Sequence, residues 1–237
     1  MRLLLISNST MAGQEYLEYP MPHIKEFLNG KVKKVLFIPY AAVTFSYDEY
    51  QQKVAKRFNE IGVEVDSIHL YEPNKRKEAV KDAEAIVIGG GNTFHLLKMM
   101  QQDEIMETIR YEVMKGKPYM GWSAGSNVAC PTICTTNDMP IVEPDSFHAI
   151  NLVRFQINPH YLDAHPDGHA GETREQRLEE FLVANPYVYV AGLREGCILK
   201  VENAKLELIG DKPLRIFKQG QEPREIEVGG DFDFLFD

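Results

Sequence analysis

The sequence predicts an α/β protein, with a mostly parallel central sheet carrying helices on both faces and an antiparallel β-rich C-terminal part. Three observations predict it. Short apolar runs such as Leu3–Ile6, Val35–Ile38 and Ala85–Ile88 have the unbroken character of strands buried on both faces. Segments with a three- and four-residue apolar rhythm lie between them, so strand alternates with helix over most of the first half. After Cys197 the rhythm changes to short alternating runs divided by Gly, Asp and Pro turns.

In chain order, Leu3–Ile6 is a strand that enters the polar loop Ser7-Asn8-Ser9-Thr10. A short helix is expected around Ile24–Leu28, and a second strand at Val35–Pro39. Ser46 is a capping residue for a helix whose Tyr47, Tyr50, Val54, Phe58 and Ile61 share one face, with Gly62 closing it. Val63–Ile68 is the next strand. Ala85–Ile88 follows and runs into Gly89-Gly90-Gly91-Asn92-Thr93. One helix begins near Thr93, and a second is expected from Asp103 to Met114 with Ile105, Ile109 and Val113 on one face. The apolar run from Pro118 then leads into Gly121-Trp122-Ser123-Ala124-Gly125.

The second half reads differently. Cys134 to Phe155 is mostly polar loop or short strands. Leu152–Ile157 leads to Asn158-Pro159-His160, Thr173 caps a helix through Val183, and the strand Val188–Leu193 ends at Arg194-Glu195-Gly196. Ile198–Val201, Leu206–Ile209, Leu214–Phe217 and Ile226–Val228 read as one antiparallel meander. No Pro/Ser/Gly-rich or charge-run linker divides the 237 residues, so 1–237 is expected to be a single α/β domain.

Composition narrows the partners. A hydrophobic fraction of 44% with 26% charged residues is ordinary for a soluble globular chain. The formal net charge of −9 disfavours nucleic acid and anionic membrane surfaces. An acidic substrate would therefore need a local cluster of positive groups. Three cysteines, Cys130, Cys134 and Cys197, make an odd count that argues against a disulfide framework. Cys130 and Cys134 are expected to be small buried hydrophobes. The N-terminal apolar run is too short for a signal segment, and no window approaches the ~20 apolar residues of a membrane span. The cytoplasm is the expected location, and a monomer or homodimer the expected state.

Gly121-Trp122-Ser123-Ala124-Gly125 has the Gly-x-Ser-x-Gly form of a nucleophile elbow. Such a turn pushes the serine out of the sheet, and the flanking glycines let neighbouring backbone pass. A Gly/Ser-rich turn after a strand is the plain alternative. Ligands of open parallel sheets gather outside the carboxyl ends of the strands. Gly89–Thr93, Trp122–Ala124, Asn158–His160 and Arg194-Glu195 all fall at such ends. Together they supply a bare-backbone loop, a nucleophile, an imidazole and a carboxylate, which is the inventory of an acyl-transfer site.

Rival readings exist for several of these residues. The spacing of Gly89–Gly91 fits neither a dinucleotide fingerprint nor a P-loop. His160, His165 and His169, with Asp163 and Asp167, suggest a metal site, but they lie in a Pro/Gly-rich loop that cannot hold a helical His pair. Glu195 and Asp138 could each be a solvated turn residue.

Taken together, Gly89–Thr93, Gly121–Asn127, Asn158-Pro159-His160-Tyr161, Gly171-Glu172-Thr173-Arg174-Glu175 and Leu193-Arg194-Glu195-Gly196 closely resemble the peptidase E family. These are serine dipeptidases that cleave Asp-X dipeptides after a free N-terminal aspartate. The resemblance runs in order through roughly residues 1–200 and is weaker beyond Cys197. It implies an amidotransferase-like, flavodoxin-like architecture. Ser123 would be the nucleophile, His160 the base and Glu195 the acid that orients it, with backbone N–H groups near Gly91 and at Ala124 as the oxyanion donors. The order serine, histidine, acid differs from the α/β hydrolases and parallels class I glutamine amidotransferases, which carry a cysteine at the elbow. No metal or organic cofactor is implied.

For the substrate carboxylate, Arg174 is the leading partner, because a guanidinium meets a planar carboxylate through two hydrogen bonds. Asn92, Thr93 and Asp138 are further substrate-binding candidates, Asp138 for the ammonium, and Arg154 is another source of positive charge. A cyanophycinase-like peptidase, a non-catalytic ligand-binding member of the same architecture, and a metal hydrolase are the competing functions.

Overall fold

A computed structural model describes residues 1–163 and 171–236. Its strands are β1 (Arg2–Ile6), β2 (Lys34–Ile38), β3 (Glu64–Ser67), β4 (Ile86–Ile88), β5 (Pro118–Trp122), β6 (Gln156–Tyr161), β7 (Val190–Arg194), β8 (Ile198–Glu202), β9 (Lys205–Ile209), β10 (Leu214–Phe217) and β11 (Arg224–Ile226). The helices are α1 (Met21–Leu28), α2 (Tyr47–Asn59), α3 (Arg76–Asp82), α4 (Thr93–Gln102), α5 (Met106–Met114), α6 (Ala124–Asn127) and α7 (Arg174–Ala184).

Seven strands form the main sheet in the order β3-β2-β4-β5-β1-β8-β9. β1 to β5 run parallel, and the β8–β9 hairpin pairs antiparallel to the free edge of β1. Successive residues of each strand serve opposite cores, as the two-residue period requires. Leu3 and Leu5 of β1 face one core while Leu4 and Ile6 face the other, and Leu36 and Ile38 of β2 divide from Val35 and Phe37 in the same way. Met21, Ile24, Phe27, Tyr50, Val54 and Phe58 bring α1 and α2 onto one face. Leu96, Leu97, Met100, Ile109 and Val113 bring α4 and α5 onto the other. Each aliphatic side chain buried this way contributes about 1.5–3 kcal/mol, which is why these runs become strands despite carrying no polar face.

Local chemistry sets the boundaries. Ser46 and Glu49 form a reciprocal capping box at the start of α2. Thr173 and Gln176 do the same for α7. The helix expected from Asp103 begins instead at Met106. Asp103 caps the carboxyl end of α4 and is held by Arg76 and Tyr40, and Glu104 adopts a left-handed φ of 53° that separates the two helices.

The C-terminal part departs further from expectation. Its four runs do not make one meander. β8 and β9 extend the main sheet, whereas β10 and β11 join β7 and β6 in a second sheet of order β11-β10-β7-β6. Two buried edges, those of β1 and β7, each need a partner for their backbone groups, and the C-terminal chain supplies one to each. Within the second sheet β6 and β7 are parallel. Its inner face (Ile157, Ala191, Leu193, Ile216) packs into the core beneath the main sheet. Its outer face (Tyr161, Val190, Phe217) lies under Leu178 and Leu182 of α7. His160 and Glu195 therefore stand at the strand ends of a second sheet, not of the central one.

Cys130 and Cys197 are buried, and burial pushes the Cys130 thiol up to about 12. Cys134 is exposed, contrary to the expectation of a buried hydrophobe. It sits in the loop pinned by the single Thr132–His148 bridge, outside the core.

Candidate active site

Ser123 follows β5 with φ 53° and ψ −112° and immediately precedes α6. A non-glycine residue in this region is strained by about 1–3 kcal/mol and persists only where its surroundings over-determine it. Here they do. The Ser123 N–H donates to the Ile6 carbonyl, and the Ser123 carbonyl accepts from Ser126 and Asn127. The elbow glycines are required by close approach. A Cβ on Gly121 would strike the Gly125 carbonyl, and one on Gly125 would strike the Ile88 carbonyl.

His160, like Ser123, has a left-handed backbone, with φ 53°. It is the residue at which the β6–β7 register slips, between Pro159 and Tyr161, and such a bulge re-aims a side chain. Ser7, at the end of β1, fixes the bulge. Its hydroxyl accepts the His160 N–H at 2.9 Å and donates to the Leu193 carbonyl at 2.8 Å. Glu195 lies one residue beyond β7, at the Gly196 turn where the chain crosses to the main sheet; the Asn8 side chain accepts the Gly196 N–H at 2.9 Å.

These placements put three side chains in one hydrogen-bonded row. His160 Nε2 is 2.9 Å from Ser123 Oγ, and His160 Nδ1 is 2.6 Å from Glu195 Oε1. The imidazole and carboxylate are partly exposed, at 38% and 41%, so the row opens to solvent and to a substrate. Gly90 packs directly on Ser123, where a Cβ would come within 3.0 Å of the Ser123 Cβ. Gly91, at φ 136°, packs against the Ala41 carbonyl. Among the described residues neither the Gly91 nor the Ala124 N–H has a protein acceptor, so both are free to meet a developing negative charge.

The expected substrate-binding residues divide. Arg174, in the first turn of α7, lies against the backbone of His160. Its guanidinium donates to the His160 carbonyl at 3.2 Å and to Asn158 Oδ1 at 3.5 Å. Burial lowers its pKa from the ordinary guanidinium value, and among the described residues no carboxylate lies within ion-pair distance of it. Asn92, Thr93 and Asp138 instead bind one another's elements. Asn92 caps α4 by accepting the His95 N–H at 3.0 Å and donates to the Met139 carbonyl at 2.8 Å. Asp138 accepts from the Thr93 N–H at 2.7 Å, from the Thr93 hydroxyl at 2.5 Å and from Thr136 at 3.1 Å. Arg154 is exposed and donates to the Phe236 carbonyl, away from the row. His165, His169 and Asp167 lie outside the described residues. Asp163 pairs with Arg194. A hollow of about 410 Å³ beside Lys34, Asp66, Tyr71 and Glu78 contains no nucleophile–base pair.

Sequence reading passed over Ser7 and Tyr50. The polar loop after β1 was visible, but nothing in it signalled that one hydroxyl would hold the His160 backbone. Tyr50 reads as a core position on an amphipathic helix, and its hydroxyl has no signature in the apolar rhythm.

A serine, an imidazole and a carboxylate in one row, beside a bare-backbone loop at the mouth of a parallel sheet, are the working parts of a serine-type hydrolase. The chain belongs to peptidase family S51, whose family model matches residues 3–209. It is 56% identical over 236 residues to peptidase E of Nostoc sp., spanning 100% of this chain and 97% of the relative. It is 46% identical over 233 residues to peptidase E of Salmonella typhimurium, spanning 98% of this chain and all of the relative. A solved peptidase structure from an acI-B1 actinobacterium shares the fold, with a TM-score of 0.72 at 19% identity, over 98% of this chain and 96% of the other. The protein is accordingly a serine-type peptidase. Among the described residues no helix is long and apolar enough to cross a membrane.

Proposed function

We propose that the protein is an exopeptidase that hydrolyses Asp-X dipeptides carrying a free N-terminal aspartate, with Ser123, His160 and Glu195 as its catalytic residues. The curated relatives' name, peptidase E, supports the class of substrate. The observation that carries the specificity is the half-buried Arg174 guanidinium, which adjoins His160 and has no carboxylate partner among the described residues. A buried cation without a counter-ion is costly, and a substrate carboxylate would relieve that cost.

In this reading His160 Nε2 takes the Ser123 proton as Oγ attacks the aspartyl carbonyl. The N–H groups of Gly91 and Ala124 receive the oxyanion, each such donor contributing about 2.7–4 kcal/mol to the transition state. The tetrahedral intermediate collapses, His160 hands its proton to the departing amine, and an aspartyl ester remains on Ser123. Water, deprotonated by His160, then releases aspartate. Glu195 keeps its charge throughout, fixing the imidazole tautomer and stabilising the imidazolium. Asn92, Thr93 and Asp138 stay in the reading as the frame of the oxyanion loop. We also assign the enzyme to the cytoplasm; three free thiols and no disulfide among the described residues support that assignment.

The test is a ratio. Arg174→Ala should cut the preference for Asp-Leu over Ala-Leu by roughly 10- to 150-fold, the equivalent of about 1.5–3 kcal/mol for a hydrogen bond to a charged group. Arg174 also supports the His160 backbone, so a uniform loss on both substrates reports only that support. An unchanged ratio would remove Arg174 from recognition.

A further inference from the structure

The oxyanion loop has a support that the row of catalytic groups does not explain. Tyr50, in α2, is 4% exposed, and its ring belongs to the core on the α1–α2 side of the main sheet. Its hydroxyl reaches through to the loop after β4. Three hydrogen bonds converge on that single oxygen. The Trp122 indole N–H lies 3.1 Å away, the Tyr16 hydroxyl 3.4 Å, and the Gly90 carbonyl 2.9 Å. Gly89 is what permits the approach, since a Cβ there would come within 2.5 Å of the Tyr50 oxygen.

The direction of these bonds is settled by donor chemistry. An indole N–H can only donate, and a carbonyl can only accept. Tyr50 therefore accepts from Trp122, and its one proton goes to the Gly90 carbonyl. Burial pushes the Tyr50 phenol up to about 12, so that proton is in place at neutral pH. The Gly90 carbonyl and the Gly91 N–H belong to the same peptide unit. That unit is planar and trans, with no cis bond among the described residues, so its carbonyl and N–H point in opposite directions. Holding the carbonyl against Tyr50 turns the Gly91 N–H to the other side of the loop.

We propose that Tyr50 is a positioning residue for the oxyanion hole: its hydroxyl, its proton directed by Trp122, locks the Gly90–Gly91 peptide so that the Gly91 N–H faces the tetrahedral intermediate on Ser123. Trp122 directly precedes Ser123, so the same side chain couples the nucleophile turn to the oxyanion loop. The inference rests on the proposed role of Ser123 as nucleophile. Tyr50 itself touches no reacting atom. A peptide free to rotate at Gly90–Gly91 would still leave the row of Ser123, His160 and Glu195 intact, so the loss should fall on the charged intermediate and not on substrate binding.

The test compares wild type with Tyr50→Phe, which keeps the ring and removes only the hydroxyl. The readouts are kcat and KM for Asp-Leu, and affinity for an aspartyl aldehyde, which adds Ser123 Oγ to its carbonyl and leaves an oxyanion. Tyr50→Phe should lower kcat by about 10- to 100-fold with KM within about twofold, and should weaken the aldehyde by the same factor while product aspartate binds unchanged. Equal kcat and equal aldehyde affinity in wild type and variant would overturn the proposal, as would a loss confined to KM. If wild type forms no aldehyde adduct, or Ser123→Ala forms one equally well, the nucleophile reading fails instead. Should Tyr50→Phe not fold, Trp122→Phe removes the bond that directs the Tyr50 proton, and it should shift kcat and aldehyde affinity together by a smaller factor. A Trp122→Phe variant with a wild-type ratio of aldehyde to product affinity would overturn the proposal in its turn.

Discussion

The two halves of the site are built by different means. On the main sheet, the proposed nucleophile and oxyanion loop are fixed mainly by close backbone packing: glycines that admit close carbonyls, and a serine forced to φ 53°. On the second sheet, the Ser7 hydroxyl holds the His160 bulge and the Asn8 side chain holds the Glu195 turn, and around these two proposed partners a lattice of charges ties the strand ends together. Arg194, directly before Glu195, binds both oxygens of Asp163 and both of Glu225 at 2.6–2.8 Å. Arg215 adds bonds to Glu175 at 2.9 and 3.1 Å and to Glu225 at 2.9 Å. Asp163 follows β6 and Glu195 follows β7, so the Arg194–Asp163 pair ties together the two strand ends that carry the base and the acid. Backbone packing tolerates almost no substitution, whereas an ionic lattice can lose one member and retain its shape. The nucleophile half should therefore fail abruptly and the base half by degrees.

The largest expected effect lies where the halves meet. Ser123→Ala and His160→Ala should each lower kcat by about 10⁶-fold, because a nucleophile and its base act as one unit, and the double variant should be little worse than either. Glu195→Gln keeps a hydrogen-bonding group and should cost about 10⁴-fold. Steady-state hydrolysis of Asp-Leu by the four variants decides it. A Glu195→Gln enzyme within tenfold of wild type would show that the acid contributes only to packing.

A smaller effect is expected when the lattice loses its centre. Asp163 and Glu225 are both held below the usual carboxylate range, chiefly by hydrogen bonds from Arg194. A carboxyl group whose pKa is depressed on folding contributes stability above its unfolded value, near 4, and that contribution is lost as pH falls through the folded value. The wild-type thermal midpoint should therefore decline as pH falls below about 4, and Arg194→Gln should flatten that decline while starting from a lower midpoint at pH 7. Asp163 is 55% exposed, so solvent screens much of the pair's energy. Because Arg194 holds the strand that delivers Glu195, kcat should drop by roughly tenfold with KM nearly constant. A parallel pair of pH–stability curves would remove Arg194 from the account.

The same contrast explains what could be read in advance. Gly121, Gly125 and the Gly89–Gly91 run were legible because close backbone approach demands one residue type, so sequence records the geometry directly. The parallel order of β1 to β5 followed from unbroken apolar runs alternating with helices. The ionic lattice was not legible, since Arg194 has many acidic residues to choose among and only the fold selects Asp163 and Glu225. Nor could periodicity divide the C-terminal strands between two sheets. β8 and β10 have similar apolar content, and what separates them is which buried edge, that of β1 or of β7, each one reaches. His160 and Glu195 were legible as residues and as neighbours, but not as the ends of a separate sheet.

The smallest expected effect concerns the seam between the oxyanion loop and the segment that follows α6. Asp138 spends one carboxylate oxygen on the Thr93 N–H, at the amino end of α4, and on two threonine hydroxyls. A side chain so engaged acts as a cap supplied from outside the helix, where a negative charge also suits the helix dipole. Asp138→Asn keeps the accepting oxygen and removes the charge. As a cap, it should lose about 0.5–1 kcal/mol of stability, seen as a small fall in thermal midpoint, with KM for Asp-Leu unchanged. As the partner of the substrate ammonium, it should raise KM about 10- to 100-fold, the scale of a lost charge-assisted hydrogen bond. The bonds already made by Asp138 favour the first result. An unchanged KM would remove Asp138 from recognition of the dipeptide's amine.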